Sequence, residues 1–289
     1  MSNYIITTDT TCDMPQKYYI KNDVLIIPMT YIIDDKTYVE FAPDALPVKE
    51  FYNIMRDGKM PKTAQITKHQ VIDTFRPILE DGNDILHLCF SSALSGTYNS
   101  CIQAAEELSS KYPDRKIYVF DTKCASMGEG LLLKYAIDNK KGGMSIDQNK
   151  AWLEDNYLHL VHWFTVDDLN HLYRGGRVSR TSAIFGSLLG IKPVLHVDDQ
   201  GRLILMEKVR GRLASLKKMV EHMKETIIRP QEQTIFISHG DCYDDAKKLA
   251  EIIKDTVKVK DIMINPIGPV IGTHSGPGTV ALFFIGSKR

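Results

Sequence analysis

Apolar residues fall along this chain in short β-branched runs, separated by polar turns and by stretches of helical period. That alternation predicts α/β architecture. Tyr4 to Thr8 reads as a first strand, and Thr10 to Met14 leads to Pro15, which suits the first position of a helix running to about Asn22. Val24 to Met29 predicts a buried strand, and Tyr31 to Ile33 with Thr37 to Val39 a small hairpin around Asp34-Asp35-Lys36. Helices are predicted over Val48 to Met55 and Val71 to Leu79. A strand from Asp84 to Phe90 then runs through Ser91-Ser92-Ala93-Leu94-Ser95-Gly96-Thr97 into a helix from Tyr98 to Leu108. Lys116 to Phe120 reads as a strand, and Gly130 to Asn139 and the stretch from Ser145 to about Asn156 as helices.

The second half changes character after Leu160 to Thr165. Ile191 to Val197 and Arg202 to Val209 flank Asp198-Asp199-Gln200-Gly201 and predict an antiparallel hairpin. A helix from about Leu213 to Ile228, a strand Thr234 to Ser238, a helix Asp244 to Lys254 and strands Val259 to Ile264 and Thr279 to Ile285 make an α+β unit. At 289 residues the chain exceeds the length at which one core usually keeps growing, so two domains are expected, 1–162 and 163–289, with the boundary near Trp163.

Lysine plus arginine number 36 and aspartate plus glutamate 36, so no net field draws the molecule onto nucleic acid, and no reader motif is visible. The N-terminus lacks a signal peptide's basic region and apolar run, and no apolar stretch approaches the ~20 residues that span a bilayer. The expectation is a cytoplasmic protein with at most transient membrane contact. The five cysteines, Cys12, Cys89, Cys101, Cys124 and Cys242, are dispersed and form no CxxC pair, which fits small buried thiols better than a disulfide framework or zinc knuckle. His159 and His162 are spaced to share a helical face but lack a third ligand nearby, so no metal site is expected.

Four clusters put hydroxyls, glycines or an imidazole where a loop follows a strand or precedes a helix: Thr63-Ala64-Gln65, Ser91 to Thr97, Arg174-Gly175-Gly176-Arg177, and Gly272-Thr273-His274-Ser275-Gly276. Ser91 to Thr97 serves equally as an anion-binding loop or a plain helix cap. The glycine-rich run Ile267 to Gly278 either contributes to a site or is merely a loop. His274, among small residues, either points into a site or is a satisfied structural histidine.

Taken together, these stretches resemble the DegV family, which includes the fatty-acid-binding subunits of bacterial fatty acid kinase. The resemblance runs nearly end to end. It is carried by Thr8-Asp9-Thr10-Thr11-Cys12-Asp13-Met14-Pro15, Ser91 to Tyr98, Asp168-Leu169 leading to Arg174-Gly175-Gly176-Arg177, Lys192-Pro193, and Gly272 to Gly278. It implies an N-terminal α/β/α layer domain with a mainly parallel sheet, a C-terminal α+β domain with a mixed sheet, and one long-chain fatty acid between them. By the same resemblance, Thr63, Ser95, Gly96, Thr97, His274 and Ser275 hold the carboxylate. A separate ATP-dependent kinase would phosphorylate the presented acid for phospholipid synthesis, and this chain would need neither cofactor nor catalytic residue of its own. It has no Walker-type loop. Where the family usually shows Thr-Ser-Gln-Pro, this chain has Thr63-Ala64-Gln65-Ile66, with one hydroxyl and one rigid turn fewer.

Such a ligand makes physical sense. Burying ~14 methylenes at about 0.8 kcal/mol each supplies on the order of 11 kcal/mol before ordering costs. An unpaired buried carboxylate would cost several kcal/mol, so its end of the site must offer hydrogen-bond donors. Ala183 to Leu189, with Ile184, Phe185, Leu188 and Leu189, form either a tail-pocket wall or ordinary core. Arg174, Arg177 and Arg210 are either partner-docking residues or solvated, cap-binding cations. The rival readings are a serine acyl-ester hydrolase with Ser95 as nucleophile and His274 as base, which lacks a GxSxG elbow and an acidic orienter, and a non-catalytic regulatory protein.

Overall fold

The computed structural model describes residues 3–179 and 190–289. The tail-wall candidates Ile184, Phe185, Leu188 and Leu189 lie outside the described residues.

The first lobe is built on β1 (Tyr4–Asp9), β2 (Leu25–Ile27), β6 (Asp84–Cys89) and β7 (Ile117–Asp121), ordered β2-β1-β6-β7 and parallel throughout. Every residue of β6 is buried, as expected of a central strand covered on both faces. Helices Lys68–Glu80 and Thr97–Lys111 cover one face through Val71, Phe75, Cys101 and Leu108. The other face packs against Leu131, Leu132 and Leu133 of helix Met127–Lys141. That helix is buried from Met127 through Leu133 because it lies between the two main sheets and contacts strands of both. A small antiparallel sheet, β4-β3-β5, joins β3 (Thr30–Ile33), β4 (Lys36–Val39) and β5 (Lys62–Ala64). Asp34 and Asp35 both take positive φ, which closes its two-residue hairpin turn.

The second lobe carries β8 (Leu160–Thr165), β9 (Ile191–Val197), β10 (Leu203–Arg210), β11 (Thr234–His239), β12 (Asp261–Pro266) and β13 (Val280–Ile285), ordered β10-β9-β8-β13-β11-β12. The sheet is mixed, since β11 and β12 pair in parallel and the rest antiparallel. A parallel first sheet and a mixed second one are the α/β arrangement the resemblance implies. The turn between β9 and β10 reaches the first lobe, where Ser91 Oγ donates to the Gly201 carbonyl at 3.0 Å.

Three details depart from the sequence reading. All of β8 belongs to the second sheet, so the chain enters that sheet at Leu160, and a division after His162 falls inside the strand. His159 and His162 share no helical face, because His159 closes a 3-10 turn and His162 lies in β8. The run Ile267 to Gly278 contains a helix, Pro269–Ser275, with Pro269 in its first turn and Gly276 ending it at φ +80°. Among the described residues no helix is long and apolar enough to cross a membrane.

Candidate functional site

A cavity of about 220 Å³ lies between the lobes. Phe90 and Leu94 line it from the first lobe, and Phe164, Val197, Leu203 and Phe283 from the second. Its polar lining residues include Thr63, Gln65, Ser95, Arg177, His274 and Ser275, with the Gly96 backbone beside Ser95.

Thr63 is set in β5 opposite Tyr31 of β3, which fixes its direction. Its Oγ1 lies 2.8 Å from Nε2 of His274 on helix Pro269–Ser275, so a hydrogen bond joins the two lobes at this point. Gly175 backs the imidazole closely, since a Cβ there would stand 2.3 Å from His274 Nδ1. Burial, and then the nearby Arg177 charge, hold the His274 pKa down to about 4. The imidazole is therefore neutral near pH 7.

Ser95 Oγ donates to Thr97 Oγ1 at 3.0 Å and accepts from the Thr97 N–H at 3.2 Å. Thr97 departs from the expected role. It is fully buried behind Ser95 and does not line the cavity, and its Oγ1 also accepts the Ile66 N–H at 3.2 Å. Proline at position 66 could not make that bond. Ile66 thus supplies a hydrogen bond and an anchor in the core cluster that contains Val71. Ser275 does line the cavity, buried, and its hydroxyl has no partner among the described residues.

Arg177 stands in the cavity wall rather than on a remote surface. Its guanidinium donates to the Leu94 carbonyl at 3.1 Å and to the Gly175 carbonyl, and burial lowers its pKa. A second cleft of about 480 Å³ shares Thr63, Arg177 and His274 with the cavity and adds Lys62, His171 and Arg174. Arg210 does not join them: it is exposed at the end of β10, opposite Ile191, and lines neither space.

Two carboxyl groups that sequence reasoning missed hold the helix bearing His274. Asp13 Oδ1 accepts the Gly268 N–H at 2.7 Å, and Glu40 Oε1 accepts the Val270 N–H at 3.1 Å. Both side chains come from the first lobe and are buried, and burial pushes their pKa values up, to about 7 for Asp13 and about 8 for Glu40. Asp13 belongs to the N-terminal motif, which offered a signal; Glu40 merely follows a short strand and offered none. A hydrolase would need a hydrogen bond between Ser95 and His274, yet these side chains bond to Thr97 and Thr63 instead.

What the lobes and the space between them define is an α/β binding-type architecture: a mostly apolar cavity with polar groups contributed by both halves. The chain belongs to the DegV family, whose model, described as "Uncharacterised protein, DegV family", matches residues 3–287. It is 46% identical over 289 residues to a DegV domain-containing protein of Clostridium perfringens, covering 100% of this chain and 99% of that one. Among solved structures it is similar to a DegV lipid-binding protein of Thermotoga maritima, with 30% identity, a TM-score of 0.87 and 99% of each chain covered. A fatty-acid-binding DegV family protein of Thermus thermophilus gives 27% identity and a TM-score of 0.88, over 98% of this chain and 99% of that one.

Proposed function

We propose that the interlobe cavity holds one long-chain fatty acid. Its carboxylate lies among Thr63, Ser95, Gly96, His274 and Ser275, with the Arg177 guanidinium as counter-charge, and its tail runs along Phe90, Leu94, Phe164 and Phe283. The observation that carries this reading is the clustering of hydroxyls, a neutral imidazole and an arginine without a carboxylate partner among the described residues, on the wall of a mostly apolar cavity. The lipid and fatty acid bound by the Thermotoga and Thermus relatives support it.

The acid is then presented to a separate ATP-dependent kinase in the cytoplasm. The basic cleft supports that step, because Lys62 and Arg174 line a space that shares Thr63 and His274 with the cavity, where a phosphoryl donor would approach the carboxylate. Organic extraction of the purified protein, followed by mass spectrometry, should recover a long-chain fatty acid at about one per chain, and the Ser95→Ala/His274→Ala variant should retain less. Recovery of no acyl chain from the wild-type protein would reject the carrier reading. Undiminished retention in a folded double variant would reject the assigned carboxylate site.

A further inference from the structure

The cysteines that look dispersed in the sequence are not all dispersed in space. His87 and Cys89 are two residues apart on β6, so they face the same side of the sheet. Helix Thr97–Lys111 covers that side and brings Cys101 to them. A ring nitrogen of His87 and the two sulfurs all lie within 4.8 Å of one another, and all three residues are fully buried. We propose that His87, Cys89 and Cys101 form a binding site for a thiophilic divalent cation, zinc in the first instance.

Geometry, orientation and charge each support the site. Zinc–sulfur bonds of about 2.3 Å and zinc–nitrogen bonds of about 2.0 Å place neighbouring ligand atoms of a tetrahedral ion ~3.6 Å apart. His87 Nε2 and Cys101 Sγ already stand 3.4 Å apart. Thr7 Oγ1, on the adjacent strand, lies 2.9 Å from His87 Nδ1. In the tautomer that donates from Nδ1 to this hydroxyl, the Nε2 lone pair faces the sulfurs, the arrangement of a metal-bound histidine held by its outer partner. Loading releases both thiol protons to solvent. A divalent ion, two thiolates and a neutral imidazole then sum to zero charge, which suits a fully buried site; a monovalent ion would leave a net negative charge there. Calcium and magnesium, which require oxygen ligands, are excluded by the donor set.

The two cysteines bracket the segment that supplies Phe90, Leu94, Ser95 and Gly96 to the cavity, so the ion would staple both ends of that segment. The site does not depend on what the cavity holds.

The test uses the full chain expressed in zinc- or cobalt-supplemented cells and purified under reducing, anaerobic conditions. Elemental analysis should find one zinc per chain, and the cobalt form should show a thiolate-to-cobalt charge-transfer band. Both should vanish in Cys89→Ala and Cys101→Ala and persist in Cys242→Ser. Thr7→Val should weaken cobalt binding about tenfold. X-ray absorption on the wild-type zinc protein guards against misfolded variants: a first shell with two sulfurs and a nitrogen upholds the site. A shell without sulfur, metal-free wild-type protein, or equal zinc in the Cys89→Ala/Cys101→Ala variant would overturn it.

Discussion

His274 is neutral because burial and Arg177 both penalise its charged form, and a ligand carboxylate would oppose both effects. Its pKa, held down to about 4 by those two effects, should therefore rise when a fatty acid binds beside it. A histidine NMR titration of the full chain checks this, and an unmoved His274 signal would remove the carboxylate from that end of the cavity. Between its ordinary pKa of 6.5 and about 4 the folded protein binds fewer protons here than the unfolded chain. The stability His274 contributes is thus present above pH ~6.5 and lost as pH falls through that window. Thr97→Val strands the Ile66 N–H and frees the Ser95 hydroxyl, at a cost of about 1–3 kcal/mol in thermal unfolding, with weaker lipid retention. That Thr63, Ser95 and His274 would share one cavity wall was legible only through the family resemblance that grouped their motifs. Phe90, Phe164 and Phe283 were not, since a phenylalanine facing a cavity and one facing a core leave the same pattern of apolar positions.

The helix Pro269–Ser275 shows why a short element can escape a sequence reading. It has seven residues, an internal Gly272 and a closing Gly276, so local propensity argues against it. Its first turn is held by acceptors from the other lobe, Asp13 and Glu40, which lie far away in sequence. Burial raises both carboxyl pKa values, so the folded protein binds more protons than the unfolded chain from about pH 4 to about pH 8. Their contribution to stability is full below that window and lost as pH rises through it. Urea unfolding across the window should show the decline, and Glu40→Gln should make it shallower without abolishing it, because burial also raises Asp13, Asp9 and Glu129. Gly272 packs against Tyr52, where an added Cβ would stand 2.5 Å from the phenol oxygen. Gly272→Ala should cost about 1–3 kcal/mol and displace His274 from Thr63, read as a lowered melting temperature together with lost lipid.

Across the molecule, the two sheets were legible because buried parallel strands and an alternating hairpin leave different periods in the sequence. The place where one sheet gives way to the other was harder, because β8 is buried on every residue and could belong to either core. Between the lobes, the turn at Gly201 is tied to Ser91, and its glycine leaves no room for a side chain, since a Cβ there would stand 2.2 Å from the serine oxygen. Ser91→Ala removes that tie without touching the lining of the cavity, and should speed exchange of a bound fluorescent fatty acid while leaving its equilibrium occupancy nearly unchanged. A fastening placed away from the cavity sets dwell time separately from grip, so a two-lobed protein of this design can hold a ligand tightly and still be tuned for how promptly it lets go.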